Sequence, residues 1–162
     1  MELYLLRHGV AEEGNAHIPD AERALTNEGR RKLRQALESA YAAGLAPSLI
    51  LTSPLKRAVQ TAEIAKDVLK YKNQLFRTKA LAPGATVEQV WDEVRVHRDE
   101  RSLLLVGHNP LFSELSGYLL GSNDLQVDFK KGAILRIDVE HFPPTPKGIL
   151  RWYLTAKLAS RE

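Results

Sequence analysis

The sequence predicts an α/β protein, a three-layer α/β/α sandwich around a mixed, mostly parallel central sheet. Three observations lead there. Short apolar runs of strand length alternate with segments of helical period, the pattern of a sheet covered by helices on both faces. Ser53-Pro54 and Asn109-Pro110 follow two of those runs and read as helix-start signals. The chain then closes with two β-like runs joined by a Pro-rich turn, and a final hairpin makes the sheet mixed rather than purely parallel.

Residues 2–7 form the first predicted strand, ending in Arg7-His8-Gly9, where glycine lets the backbone turn. Residues 27–43 place Leu33, Ala36, Leu37, Ala40 and Tyr41 on one face of a helix, with Thr26 as N-cap and Gly44 as stop. Ser48–Thr52 is the second strand. A helix follows, with Ser53 as N-cap, Pro54 at its first position, and Thr61, Ile64, Ala65 and Val68 buried. Residues 74–78 suit a short edge strand, and Pro83-Gly84 a loop. Val87, Val90, Trp91 and Val94 mark a third helix. Ser102–Val106 is a strongly apolar strand. Asn109 then caps a fourth helix that buries Leu111, Phe112, Leu115, Tyr118 and Leu119. The runs 132–139 and 149–156 close the sheet around a turn at 143–148.

The length of 162 residues suits a single domain spanning residues 1–162, large enough for a real core. No apolar run approaches a transmembrane helix, and the first residues lack the regions of a signal peptide, so the expected location is cytoplasmic, with no membrane partner. The chain contains no cysteine, which excludes disulfides, thiol catalysis and thiolate metal sites. A net charge of +3, with lysines and arginines scattered among acids, argues against nucleic acid and leaves room for a positive pocket.

Chemistry concentrates where predicted strands meet helices. His8 suits a nucleophile toward phosphorus: a neutral imidazole needs no neighbouring base, provided one ring nitrogen stays free and the other is held by an acceptor. Arg7 and Arg57 suit phosphate clamps, because the guanidinium is permanently charged and presents paired donors. His108 can donate to a phosphoryl oxygen, best as imidazolium, and Gly107 permits close backbone approach. Taken singly, each residue has a plainer use: a satisfied strand-end histidine, a surface ion pair, a helix cap. Their joint position is harder to explain plainly, since strand-to-helix junctions of a wound sheet share one edge. Two histidines can also bind a metal, but no acidic ligand follows at the usual spacing, and no metal or organic cofactor is expected. A glycine-rich nucleotide loop is absent, which argues against a kinase. His17, His97 and His141 carry no signal.

Arg7-His8-Gly9, the Ser53-Pro54-Leu55-Lys56-Arg57-Ala58-Val59-Gln60-Thr61 segment and Gly107-His108 together resemble the histidine phosphatase superfamily, also called phosphoglycerate-mutase-like. The resemblance covers nearly the whole chain. It implies that His8 is transiently phosphorylated and that Arg7, Arg57 and His108 form the phosphate pocket, with Gly9 and Arg23 adding substrate contacts. Within the superfamily the chain is most similar to the small SixA-type phosphohistidine phosphatases. It is short, it carries Val10-Ala11 after Gly9, and Arg23-Ala24-Leu25-Thr26-Asn27-Glu28-Gly29 resembles their Arg-x-Leu-Thr-x-x-Gly segment. The likeness implies a phosphorylated protein substrate, of the kind of a histidine-phosphotransfer domain of a two-component system.

Superfamily members acting on esters commonly place a glutamate near residues 78–87 as general acid. No carboxylate lies there, and the nearest candidates are Glu88 and the loop residues Glu12 and Glu13. A phosphohistidine tolerates that lack, because protonated imidazole leaves readily; an alkyl phosphate does not. Two rival readings are a small-molecule phosphomonoesterase using the same pocket and a phospho-binding module without turnover. Oligomeric state is not legible.

Overall fold

The computed structural model describes residues 1–160. In β1 (Glu2–Arg7), Leu3 and Leu5 enter one core while Tyr4 and Leu6 enter another on the opposite face. This follows from the two-residue period of a strand. Buried on both sides, β2 (Leu49–Thr52) and β4 (Ser102–Gly107) divide in the same way: Leu49, Leu51, Leu103 and Leu105 face one core, Ile50, Leu104 and Val106 the other. Unbroken apolar runs, rather than alternating ones, are what a doubly covered sheet requires.

The sheet has six strands, completed by β3 (Phe76–Arg77), β5 (Ile134–Asp138) and β6 (Ile149–Leu154), in the order β3-β2-β4-β1-β5-β6. β4 pairs in parallel with both β1 and β2, and β3 adds a parallel edge, while β5 runs antiparallel to β1 and β6. The C-terminal ends of β1, β2 and β4 therefore lie side by side. Helices α1 (Asn27–Ala42), α2 (Lys56–Val68) and the short α5 (Ala156–Ala159) cover one face. Helices α3 (Val87–Val96) and α4 (Leu111–Leu119) cover the other. The predicted α/β/α layering and mixed sheet are the observed ones.

Local chemistry accounts for most boundaries. Thr26 caps α1 by accepting from the Gly29 N–H at 2.9 Å, and Gly44 ends it at φ +100°. Thr86 and Gln89 cap α3 reciprocally. The Pro-rich turn is pinned to α3 by the Trp91 indole N–H, which donates to the Pro143 carbonyl at 2.8 Å.

Three details depart from expectation. Tyr41, read as part of the buried face of α1, is exposed at the helix end, with the Lys70 ammonium 5.4 Å from its ring centroid. Helix α2 starts at Lys56, so Ser53 and Pro54 lie before it rather than in it. The Ser53 hydroxyl is engaged by His108, and the chain turns once more before the helix begins. Helix α4 starts at Leu111; Asn109 lies one residue outside the cap position, yet its Oδ1 still accepts from the Ser113 N–H at 3.3 Å.

Candidate active site

Arg7 ends β1, and His8 is the first residue beyond it. The His8 N–H donates to the Gly107 carbonyl at 3.0 Å, which continues the β1–β4 ladder and seats the two strand ends together. The His8 Nδ1 lies 2.7 Å from the Gly9 carbonyl. A carbonyl only accepts, so Nδ1 carries the proton and Nε2 holds a free lone pair. Burial pushes the His8 pKa down to about 3, with His108, Arg57 and Arg7 adding repulsion against the bond to Gly9. At neutral pH the ring is uncharged, as a phosphorus nucleophile must be.

His108 directly follows β4, is 2% exposed, and has its ring centroid 5.1 Å from that of His8. Its Nε2 is 2.7 Å from the Ser53 Oγ. That oxygen also accepts from the Leu55 N–H at 3.3 Å. The hydroxyl can accept from Leu55 and donate its own proton to Nε2 at once, and in that arrangement the proton of His108 sits on Nδ1, which is buried without a partner among the described residues. Burial, then Arg57, push the pKa of His108 down to about 4, so the ring is neutral at pH 7. It is a neutral N–H donor until an anion offsets the guanidiniums.

Arg57 lies in the first turn of α2 and is 5% exposed. Its Nη1 donates to the Asp20 carbonyl at 2.9 Å and its Nη2 meets Asp20 Oδ2 at 3.2 Å. Arg7 Nη1 donates to the Phe129 carbonyl at 2.6 Å. These contacts hold the outer nitrogens while the inner ones stay unpaired. Arg7 Nε, Arg57 Nε and His108 Nδ1 are all buried without a hydrogen-bond partner among the described residues. Buried donors without partners are costly, about 1–3 kcal/mol each, and three on neighbouring site residues are what an anion would satisfy.

Thr61 ties the strand end to α2: its hydroxyl donates to the Arg57 carbonyl at 2.7 Å and accepts from the Gly9 N–H at 3.2 Å. Both polar groups of Gly9 are therefore engaged inside the protein. These bonds shape the loop that carries His8. The same loop presses on α1, where a Cβ on Gly29 would collide with the Val10 carbonyl oxygen. That crowding is the physical reason for glycine in the Leu-Thr-x-x-Gly segment.

Arg23 also stands one step back. Its Nε and Nη2 hold Asp20 Oδ1, both at 2.9 Å, and its Nη1 donates to the Glu12 carbonyl at 3.1 Å. It braces the Asp20 turn instead of bonding either histidine. Glu12, Glu13 and Glu88 are exposed, and none bonds a residue of the cluster. Among the described residues, Asp20 is the carboxylate bonded to the cluster. It and Ser53 are the residues that sequence reasoning missed. Asp20 sits three residues before Arg23, a readable pair, but its contact with Arg57 spans 37 positions and leaves no local trace. Among the described residues no group of three or more His, Asp or Glu is placed to hold a metal.

Comparison with known proteins gives the family and the fold. The family model of the histidine phosphatase superfamily (branch 1) matches residues 3–82. An uncharacterized protein of a Picosynechococcus species is 34% identical over 139 residues, 83% of either chain. A solved structure of the protein histidine phosphatase SixA with tungstate superposes at TM-score 0.87, with 24% identity, covering 97% of this chain and 98% of that one. A putative phosphohistidine phosphatase SixA from Agrobacterium tumefaciens follows at TM-score 0.82 and 22% identity, covering 95% and 97%. Small-molecule phosphatases share the fold too, among them a putative alpha-ribazole-5'-P phosphatase from Escherichia coli at TM-score 0.73 and 19% identity, covering 96% and 98%. With the strand-end histidine, the arginine pair and these matches together, the chain belongs to the histidine phosphatase superfamily and resembles SixA in fold.

Proposed function

We propose that this phosphatase removes the phosphoryl group from phosphohistidine on a protein, through a covalent intermediate on His8. The observation that carries the reading is the His8 Nδ1–Gly9 carbonyl bond, which leaves Nε2 free beside three unpaired buried nitrogens. In the first step the Nε2 lone pair attacks phosphorus. The substrate N–P bond breaks, and its electron pair returns to the ring, which departs as neutral imidazole if its other nitrogen was protonated. Arg7, Arg57 and the His108 Nδ1–H take the charge of the equatorial oxygens. In the second step water attacks phosphorus, the P–Nε2 bond breaks and inorganic phosphate leaves with the proton of water. The proton on His8 Nδ1, held by Gly9, keeps the phosphorylated ring cationic and a good leaving group throughout.

The preference for phosphohistidine over alkyl esters rests on the missing acid. Asp20 is the carboxylate that reaches the cluster, and its partners Arg23 and Arg57 hold its pKa below the usual carboxylate range despite desolvation. Such a group is ionised at neutral pH and is a poor proton donor to an alkoxide. Imidazole does not need one. The test is turnover of a phosphorylated histidine-phosphotransfer domain against para-nitrophenyl phosphate and sugar phosphates, with His8→Ala as control. Rapid, His8-dependent loss of phosphate from the domain is expected. Faster turnover of the esters would move the assignment to a small-molecule phosphomonoesterase, and binding of phosphate without turnover of any substrate to a binding module.

A further inference from the structure

We propose that a lysine-lined groove beside Arg7 docks a carboxylate-rich protein surface next to the phosphorylated side chain, an assignment that rests on the phosphohistidine reading above. The groove encloses about 720 Å³ and its walls include Arg7, Lys32, Asp128, Lys130, Lys131 and Lys157. They come from separated segments: the end of β1, α1, the loop before β5, and α5. Five cations face one carboxylate, and that carboxylate is already matched, since Lys130 Nζ lies 2.8 Å from Asp128 Oδ2. Lys32 lies 3.5 Å from Glu28. Lys131 and Lys157 are exposed and have no carboxylate partner among the described residues. Among the described residues the charge of Lys131 and Lys157 is left unmatched here, which raises the local concentration of anions.

The groove has a fixed position relative to the phosphate pocket. The Tyr153 hydroxyl donates to the Asp128 carbonyl at 2.8 Å and accepts from the Lys130 N–H at 2.9 Å. Between them Phe129 is buried, and its carbonyl receives Arg7 Nη1. The ledge that carries Lys130 and Lys131 thus also orients the phosphate-clamping arginine. Anything seated on the lysines therefore lies beside the phosphate-clamping arginine.

A protein surface fits better than a second phosphate. Compact phosphates are held by convergent donors, often a guanidinium fork. Here the unmatched lysines are flexible ammonium groups on separate segments, and Arg7 is the one guanidinium among the residues that line the groove. Dispersed point charges match several carboxylates spread around a side chain, and they set encounter rate and partner choice.

The experiment compares synthetic phosphohistidine peptides flanked by Glu or by Gln, and a sugar bisphosphate against its monophosphate. Each is assayed with the wild-type protein and with the Lys131→Glu/Lys157→Glu double variant. Exposed pairs are each worth a small factor, so the wild type should favour the Glu-flanked peptide about tenfold in kcat/KM at low salt. The gain should lie in KM and shrink as added salt screens it. The double variant should lose or invert the preference. Equal turnover of the two peptides by the wild type would overturn the groove assignment while leaving the phosphohistidine reading intact. So would a preference for the bisphosphate, lost in the double variant, without any peptide preference. Turnover of para-nitrophenyl phosphate through His8, with neither peptide hydrolysed, would overturn the phosphohistidine reading itself, and the docking proposal with it.

Discussion

His8 and His108 follow neighbouring parallel strands with ring centroids 5.1 Å apart, yet one is held by a backbone carbonyl and the other by a hydroxyl. A carbonyl can only accept, so His8 keeps one tautomer whatever binds. A serine hydroxyl can donate or accept, so His108 can gain a proton on Nε2 when charge arrives and the Ser53 hydroxyl rotates. The contrast assigns different work to two residues of the same type: a nucleophile of fixed tautomer beside a donor whose charge follows the substrate.

Replacement of the two histidines should break the symmetry most visibly. His8→Ala should lower phosphatase kcat by about four orders of magnitude or more, since it removes the attacking atom. His108→Ala should lower it by about two to three orders, the scale of losing one preorganised donor. Phosphoenzyme trapping after rapid quench separates the two, because label should still accumulate in the His108 variant. Equal losses with no trapped label in either would contradict the division of roles.

Acid should destabilise the protein through both rings. Each histidine has a folded-state pKa below its ordinary value, so the unfolded chain binds more protons as pH falls below about 6.5. Stability is full above that pH and is lost as pH falls toward the folded values. Between pH 7 and pH 5 the loss should be about 2 kcal/mol per ring. Urea titrations of the wild type and of His8→Ala should show about half the acid sensitivity in the variant. Identical pH dependence would mean that His8 is solvated in solution.

Ser53→Ala should cost about tenfold in kcat, as expected for loss of a positioning hydrogen bond worth roughly 1–1.5 kcal/mol. It should also move the pH profile limb that reports His108, which a merely structural role would not shift. Asp20→Asn should tighten inhibition by inorganic phosphate about threefold, because an exposed carboxylate facing Arg57 no longer competes with the anion. Weaker inhibition would make Asp20 an orienting residue for Arg57 instead. Glu12→Gln, Glu13→Gln and Glu88→Gln should each change phosphohistidine turnover by less than about twofold, as surface substitutions remote from the reacting atoms do. A large loss in any of them, seen on alkyl phosphates, would identify a general acid.

The elements themselves were legible because their signals are local. Leu3–Leu6 and Leu103–Val106 are apolar without interruption, as strands covered on both faces must be. Thr26 and Gly44 bracket α1 through their own side-chain and backbone chemistry. Where a local signal misled, a distant partner had intervened. Ser53 and Pro54 carry the marks of a helix start, but the Ser53 hydroxyl is taken by His108, 55 positions away. Tyr41 has the period of a buried residue, yet it falls where α1 runs past the core.

By itself the sequence determined which residue types stand at each strand end, and hence that two histidines and two arginines would meet at one edge of the sheet. Parallel pairing of β1, β2 and β4 makes that meeting unavoidable. Only the tertiary structure decided their states. The tautomer of His8, the neutrality of His108, the contact of Asp20 with Arg57 and the lysine groove beside Arg7 depend on burial and on partners from other segments. Desolvation and hydrogen-bond direction are properties of packed neighbours, and a one-dimensional string does not carry them.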